Sequence, residues 1–429
     1  MLASFFVRNF RSILELTLDF SYAEGKAPNR HSTSEIIPFF EAAKGKRFVP
    51  CMAYFGANAS GKSNLIKAFG ALDDLILTGK PLADLYEPNL LNPKFHETTF
   101  DLSFYLDADR FDYRVSFSAS SITNECLRKN GIPIFSFDHT KAEFAPSLLS
   151  AAYSHEKLAD IFRVECTDGE GRQIKSFLHR IGRAYAGLHP DIRKAFRYIR
   201  SDVRIFENDG PLPLPVAVDF LASAMDRDSE AALREITDVV RRLDIDITSI
   251  DFTKVELKSD EPAHRESFLR RDPDSGARHA IHISSIHKNA EGSDVVLNFL
   301  KHESAGTQRL ASLVGLILCA LKSGGVFIID ELECSLHPLL MRELVLLFKK
   351  RRLNPNNAQL IFTSHNTDIL DDSILRISEI SLVRKTAANG TLVRRLADAR
   401  KDGDDIRNVT NFRKQYLAGF YSAVPHPAL

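Results

Sequence analysis

Leu14, Leu16, Leu18 and Phe20 alternate with Ile13, Glu15, Thr17 and Asp19, the period of two that marks a strand with one buried face. A shorter strand from Phe5 precedes it, and the two meet around Asn9-Phe10-Arg11-Ser12. Residues 22–47 are polar and turn-rich, which predicts a loop with a short helix near Ile36 to Phe40. Phe48 to Phe55 is apolar and reads as a strand. From Lys62 the period changes: Leu65, Ile66, Phe69, Leu72, Leu75 and Ile76 fall at helical spacing until Gly79 and Pro81 stop them. Phe100, Leu102, Phe104 and Leu106 alternate, as do Phe111, Tyr113, Val115 and Phe117, and Asp107-Ala108-Asp109-Arg110 between them predicts a β-hairpin.

The stretch 155–245 is mainly helical in pattern, and 247–300 returns to short strand-like runs broken by charged turns. From Lys301 helix and strand alternate, as in a parallel sheet built through crossover helices. The expected fold class is therefore α/β, with a core split in two by an insertion. Segment boundaries follow: 1–95 for the first half of the core, 96–154 for a β lobe, 155–245 for the helical insertion, 246–300 for a β-rich return, and 301–429 for the second half. The chain of 429 residues is long enough for two or three such lobes.

Composition narrows the field only a little. Formal net charge is zero, so no global field draws the chain onto nucleic acid or a membrane, and basic surface must be local. The clearest local case is Arg193, Arg197 and Arg200 within an arginine-rich run from 172 to 204. It is either a solvated helical face or a surface for DNA or RNA. Five widely spaced cysteines without a C-x-x-C pair argue against a disulfide framework or a zinc site and suggest a cytoplasmic setting. The longest apolar run, Leu310 to Leu321, is too short to cross a bilayer and predicts a buried core helix, so no membrane partner is expected.

The chemistry lies in four short stretches. Gly56-Ala57-Asn58-Ala59-Ser60-Gly61-Lys62-Ser63 fits G-x-x-x-x-G-K-S/T at every fixed position, between a strand and a helix. Such a loop turns its backbone N–H groups and the helix N-terminus toward phosphates, and Gly56 and Gly61 let the backbone come close. Lys62 would neutralise the outer phosphates and Ser63 would ligate Mg²⁺. Asp330 and Glu331 end the apolar strand Val326 to Ile329; Asp330 would hold the metal through water, and Glu331 would polarise an attacking water. His365 follows the strand Leu360 to Phe362 and is either a phosphate or water contact or an ordinary surface histidine. Ser304-Ala305-Gly306-Thr307 opens the Leu310 helix; Ser304 is a plain N-cap or, with Gly306, a second phosphate contact. A nucleoside triphosphate, ATP or GTP, and Mg²⁺ are the cofactors these residues call for.

The order of these stretches resembles the ABC-type ATPases of the RecF/SMC kind. Asn9-Phe10-Arg11-Ser12, the run from Gly56 through Asn58, Ser60, Gly61, Lys62 and Ser63 to Asn64, Glu303-Ser304-Ala305-Gly306-Thr307-Gln308-Arg309, and Asp-Glu-Leu-Glu-Cys-Ser-Leu-His-Pro at 330–338 are similar to OLD-like ATPases. Within these they resemble the stand-alone group that includes RloA and AbiLii, cousins of the ATPase subunits of two-component phage-defence systems. The ending from Gln415 to Pro425 is similar as well. The likeness covers residues 1–120 and 290–429 well and the middle poorly.

The resemblance implies a split ABC-type P-loop ATPase head with a β-hairpin lobe and a mainly helical insertion. It further implies a head-to-tail homodimer, or a higher homo-oligomer, with two ATPs between protomers. Ser304 and Gly306 of one chain would then meet the nucleotide held by Lys62 of the other. The region from Glu333 to His337 would cross the interface, and Arg11 would lie near the nucleotide. The implied function is an ATPase that controls a separate effector, a nuclease or toxin, in antiphage defence or nucleic-acid maintenance; the alternative is a DNA-binding clamp in DNA repair with hydrolysis secondary. Two departures stand out. No Gln lies between Ser63 and Arg172 to sense the metal; Gln173 sits inside the insertion, leaving His96 or Glu97 as substitutes. The nuclease domain of OLD proteins proper is expected to be absent, since only about forty residues follow the core strands.

Overall fold

The computed structural model describes residues 1–23, 35–43, 45–138, 142–146, 154–184, 189–207, 214–243, 246–257, 268–271, 278–334, 336–388, 390–398 and 412–419. Among them thirteen strands form one sheet. Their spatial order is Ala142–Phe144, Ile132–Asp138, Ile122–Lys129, Asp109–Phe117, Thr98–Leu106, Leu2–Phe10, Ile13–Asp19, Gly390–Arg395, Ile380–Thr386, Cys51–Phe55, Gln359–Ser364, Val326–Ile329 and Val203–Phe206. The last five run parallel. The others pair antiparallel.

Cys51–Phe55, Gln359–Ser364 and Val326–Ile329 bury every residue. Parallel strands read this way because crossover helices cover both faces. Their residues sort by the period of two: Ala53, Phe327, Ile329, Leu360 and Phe362 join one core, and Met52, Tyr54, Val326, Ile328 and Ile361 join the other. The helix Lys62–Asp73 covers the second face, where Phe69 stacks on Phe5 at 4.1 Å between ring centroids. Helices Ala305–Ser323 and Pro338–Lys349 cover the first. Leu310 through Leu321 is buried at every position, as an all-round apolar helix must be. Gly315 allows that helix to lie against Ala217 and Ile236 of helices Leu214–Met225 and Ser229–Arg242. No helix among the described residues is long and apolar enough to cross a membrane.

Several expectations need revision. The short helix near Ile36 to Phe40 is absent: Ile36 bridges to Lys350, and Phe40–Ala43 pairs antiparallel with Lys46–Phe48, which buries Phe40 and Phe48. The Phe48–Phe55 strand is two strands broken at Pro50, which has no N–H to give to a ladder. The hairpin Thr98–Phe117 extends the main sheet, because Thr98–Leu106 pairs with Leu2–Phe10. The mainly helical segment 155–245 also returns a strand, Val203–Phe206, to the far edge of the parallel set. Ser249–Leu257, Phe268–Arg271, Arg278–Lys288 and Asp294–Asn298 form a separate antiparallel sheet.

The insertion is tied to the hairpin by a buried carboxylate. Glu125 accepts hydrogen bonds from Tyr113 Oη at 2.9 Å, Ser176 Oγ at 2.8 Å, and the backbone N–H groups of Phe177 and Leu178 at 2.8 and 3.0 Å. The Gln173 amide adds a fifth donor. Burial raises the Glu125 carboxyl above its usual range, against the pull of these donors.

Candidate functional site

The loop 56–61 joins the Cys51–Phe55 strand to the Lys62–Asp73 helix at the end of the parallel strands where ligands of open α/β sheets bind. Gly61 has φ 100° and Ala59 φ 59°, a backbone bent to a ring rather than a strand or helix. A Cβ on Gly61 would overlap Thr391 Oγ1, and one on Gly56 would overlap the Val383 carbonyl. The loop is thus held from behind by the Ile380–Arg395 hairpin. Thr391 Oγ1 donates to the Ser60 carbonyl at 3.2 Å and lies 2.7 Å from Ser12 Oγ, which in turn accepts from Asn64 Nδ2 at 2.6 Å.

The turn Asn9–Ser12 completes this clamp. Asn9 and Arg11 both have positive φ, 55° and 50°. The Arg11 guanidinium pairs with Glu87 at 2.8 Å and donates to Asn64 Oδ1 at 3.4 Å, so it sits beside the first turn of the loop's helix. Asn9 Nδ2 donates to the Phe95 and Glu97 carbonyls, both at 3.1 Å, which brings His96 and Glu97 against the same turn. Gln173 belongs to the buried Glu125 network instead.

Lys62 is 5% exposed, and its ammonium donates to the carbonyls of Gly56 at 2.9 Å and Ala57 at 3.1 Å. Burial lowers its pKa to about 8, against the favourable field of Asp330, Glu331 and Glu333. Asp330 is buried and accepts from Thr363 Oγ1 at 2.5 Å; that hydroxyl oxygen accepts from the Glu331 N–H at 2.7 Å. One threonine therefore ties the Asp330 carboxylate to the Glu331 backbone. Glu331 has φ 49°, and its Oε1 lies 3.8 Å from His365 Nε2. The His365 N–H donates to Glu333 Oε1 at 2.5 Å. Burial, and after it the charge of Lys62, lowers the His365 pKa and favours the neutral ring at pH 7. Lys62, Asp330, Glu331 and His365 thus gather at the ends of three neighbouring parallel strands.

The Ser304 turn stands apart. Ser304 is exposed and caps the Ala305–Ser323 helix, accepting from the Thr307 N–H at 3.1 Å. Among the described residues no hydrogen bond or ion pair links Ser304 or Gly306 to residues 56–64 of the same chain. Arg193, Arg197 and Arg200 are exposed along one side of the Pro190–Asp202 helical segment. Asn58 is exposed at the loop's tip, Ser60 is buried, and Ser63 is half-buried in the first helical turn. Residue 335 lies outside the described residues, so the expected interface stretch 333–337 is described in part.

Residues 52–371 match the family model described as "AAA domain, putative AbiEii toxin, Type IV TA system". The chain belongs to this family. It is a P-loop ATPase-type α/β protein of the AbiEii-type AAA family, and the match runs through the middle segment as well as the motif-bearing ends. No curated protein is similar enough to match. Among solved structures, the chain is similar to an Smc head bound to the C-terminal winged-helix domain of ScpA, with 13% identity, a TM-score of 0.45, and coverage of 93% of this chain and 99% of that one. It is similar to the SMC head domain from Thermotoga maritima, at 12% identity and TM-score 0.37 over 92% and 98% of the two chains. A third is the Pyrococcus furiosus Smc head with an extended coiled coil bound to the C-terminal domain of ScpA, at 13% identity and TM-score 0.43 over 95% and 99%.

The residues of this AbiEii-type AAA protein fit a nucleoside triphosphate. A buried lysine bonded only to loop carbonyls is short of an anion, and the buried Ser60 hydroxyl has no hydrogen-bond partner. Among the described residues no three His, Cys, Asp or Glu side chains converge on a metal. Nucleotide-bound Mg²⁺ needs no such set, since it keeps waters and takes phosphate oxygens beside one or two protein groups.

Proposed function

We propose that the chain binds and hydrolyses ATP with Mg²⁺, closes as a head-to-tail homodimer around it, and uses that cycle to control a separate effector. What carries the reading is the convergence of Lys62, Asp330, Glu331 and His365 at one sheet end, with Glu331 and His365 3.8 Å apart. Gly56, Asn58, Ser60, Gly61, Lys62, Ser63 and Asn64 would surround the phosphates, with Arg11 beside them. Ser63 and Asp330 would hold the metal, which neutralises developing phosphate charge when bound. Glu331 would accept the proton of the attacking water, and a neutral His365 would hydrogen-bond the transferred phosphate or that water. Ser304 and Gly306 would complete the site of the partner protomer. The exposure of Ser304, and the absence among the described residues of any hydrogen bond from Ser304 or Gly306 to the loop of their own chain, support this. The OLD-like resemblance adds the effector, a nuclease or toxin, and a role in antiphage defence or nucleic-acid maintenance.

The test is steady-state hydrolysis by wild type and Glu331→Gln, with mass followed by light scattering. Wild type turns over, the variant loses about 10²–10⁴-fold, and ATP drives the variant into a stable dimer. Equal turnover in both proteins, or no change of mass, sinks the reading. The exposed Arg193, Arg197 and Arg200 favour a second reading, a DNA-binding clamp. It requires salt-dependent DNA binding that disappears when the three are neutralised.

A further inference from the structure

The sequence 303–309 is longer than the turn it builds, and its flanking residues have work of their own. Glu303 precedes the cap residue Ser304. Its carboxylate is nearly buried, with 10% side-chain exposure. Glu303 Oε1 accepts from Ser285 Oγ at 2.6 Å and from His287 Nε2 at 2.7 Å. Ser285 and His287 are two residues apart on the Arg278–Lys288 strand, so both side chains leave the same face of the small sheet. On the other side, Gln308 Nε2 donates to the Leu300 and Glu303 carbonyls at 3.1 and 3.0 Å, closing the chain just before the turn onto the helix just after it. Asn298, at the end of the neighbouring strand, caps the short helix Phe299–His302 by accepting from the Lys301 N–H at 3.0 Å. The Ser304–Thr307 turn therefore has a second support besides the helix it opens, which packs on the parallel strands. It is gripped at both ends, and its N-terminal grip is a carboxylate held by the separate antiparallel sheet.

We propose that Glu303 is a positioning residue: pinned by Ser285 and His287, it fixes the direction in which Ser304 and Gly306 are presented to the nucleotide of the partner protomer, so that the small sheet governs closure of the dimer. This rests on the head-to-tail reading above. The pin acts on assembly and not on the chain's own phosphate loop, because no described bond joins Glu303 to residues 56–64. Anything that shifts the strand Arg278–Lys288 is transmitted to the turn through two hydrogen bonds to one oxygen.

The experiment compares wild type, Glu303→Ala, Glu303→Gln and a double variant, Ser285→Ala with His287→Phe, in the presence of Mg²⁺ and a non-hydrolysable ATP analogue. Analogue affinity is read on dilute protein, and the dimer population by light scattering across protein concentration. Glu303→Ala and the double variant bind the analogue within about twofold of wild type but need at least about tenfold more protein to dimerise. Glu303→Gln, whose amide oxygen still accepts both bonds, assembles as wild type does. The double variant leaves the motif itself intact, so it decides the matter even where Glu303→Ala fails to fold. Wild-type assembly in the double variant overturns the pin alone. A parallel loss of analogue affinity and assembly also overturns it, since that is the mark of general damage. Absence of assembly in the wild type overturns the head-to-tail reading and the pin with it.

Discussion

The phosphate loop and the Ser304 turn are held in opposite ways. The loop is braced by groups drawn from both ends of the chain: Ser12 and Thr391, 379 residues apart, meet behind it, and Thr391 presses where Gly61 has no Cβ. Its lysine is buried and already bonded within the loop. The turn is exposed at Ser304, is stabilised by its own cap, and is tied through Glu303 to a different sheet. On the head-to-tail reading proposed above, a finished cradle beside an open contact is what a shared site demands, since the open contact must remain available to the partner. It also means the two halves can fail separately.

That separation is most sharply tested by mixing. Lys62→Ala and Ser304→Ala each lower hydrolysis by at least about 10²-fold, by loss of a phosphate cation and by loss of the contact from the partner protomer. In a head-to-tail dimer an equal mixture regains about a quarter of the wild-type rate, because half the dimers carry one site with both groups intact. No recovery on mixing breaks the comparison and places both groups in one chain's site. Next in size is the loss in Glu331→Gln given above, which stops turnover while leaving assembly in place.

A smaller effect belongs to the brace. Thr391→Val removes the bond to the Ser60 carbonyl and the contact with Ser12, and ATP affinity falls by about 2- to 12-fold by isothermal titration, while Thr391→Ser stays near wild type. Unchanged affinity in the valine variant would reduce the brace to simple packing. The smallest effect is on pH. Lys62 titrates near pH 8 in the free protein, and a bound triphosphate raises that value. Below about pH 8 the ammonium is present in both states and affinity is flat; above it, binding must take up a proton and affinity falls as pH rises. Measurements from about pH 7.5 to 9.5, where the nucleotide is fully ionised, check the slope, and a flat profile removes Lys62 burial from the account.

Legibility in the sequence followed the range of the contacts. The loop with its strand and helix, and the Asp330-Glu331 pair at a strand end, are local patterns, so periodicity located them. What periodicity missed lies in pairs distant along the chain. Thr391 is an ordinary strand threonine until it is seen against Gly61, and Thr363 until it is seen to hold Asp330 and Glu331 together. Glu125 carried no motif, yet it gathers five donors from the hairpin and the insertion. Val203–Phe206 was missed for another reason: four residues following an arginine-rich helical stretch are too few to show a period of two.

That edge strand bears on how the protein can be recombined. The Phe206 carbonyl accepts the Asp330 N–H at 3.0 Å, and its ring lies under the Arg309 guanidinium at 5.2 Å. A segment that looks like a removable cassette therefore supplies part of the floor beneath the carboxylate pair. Chimaeras that exchange residues 155–245 as a block exchange that floor with them, and grafts that keep the host's own Val203–Phe206 are the ones that leave Asp330 where it belongs.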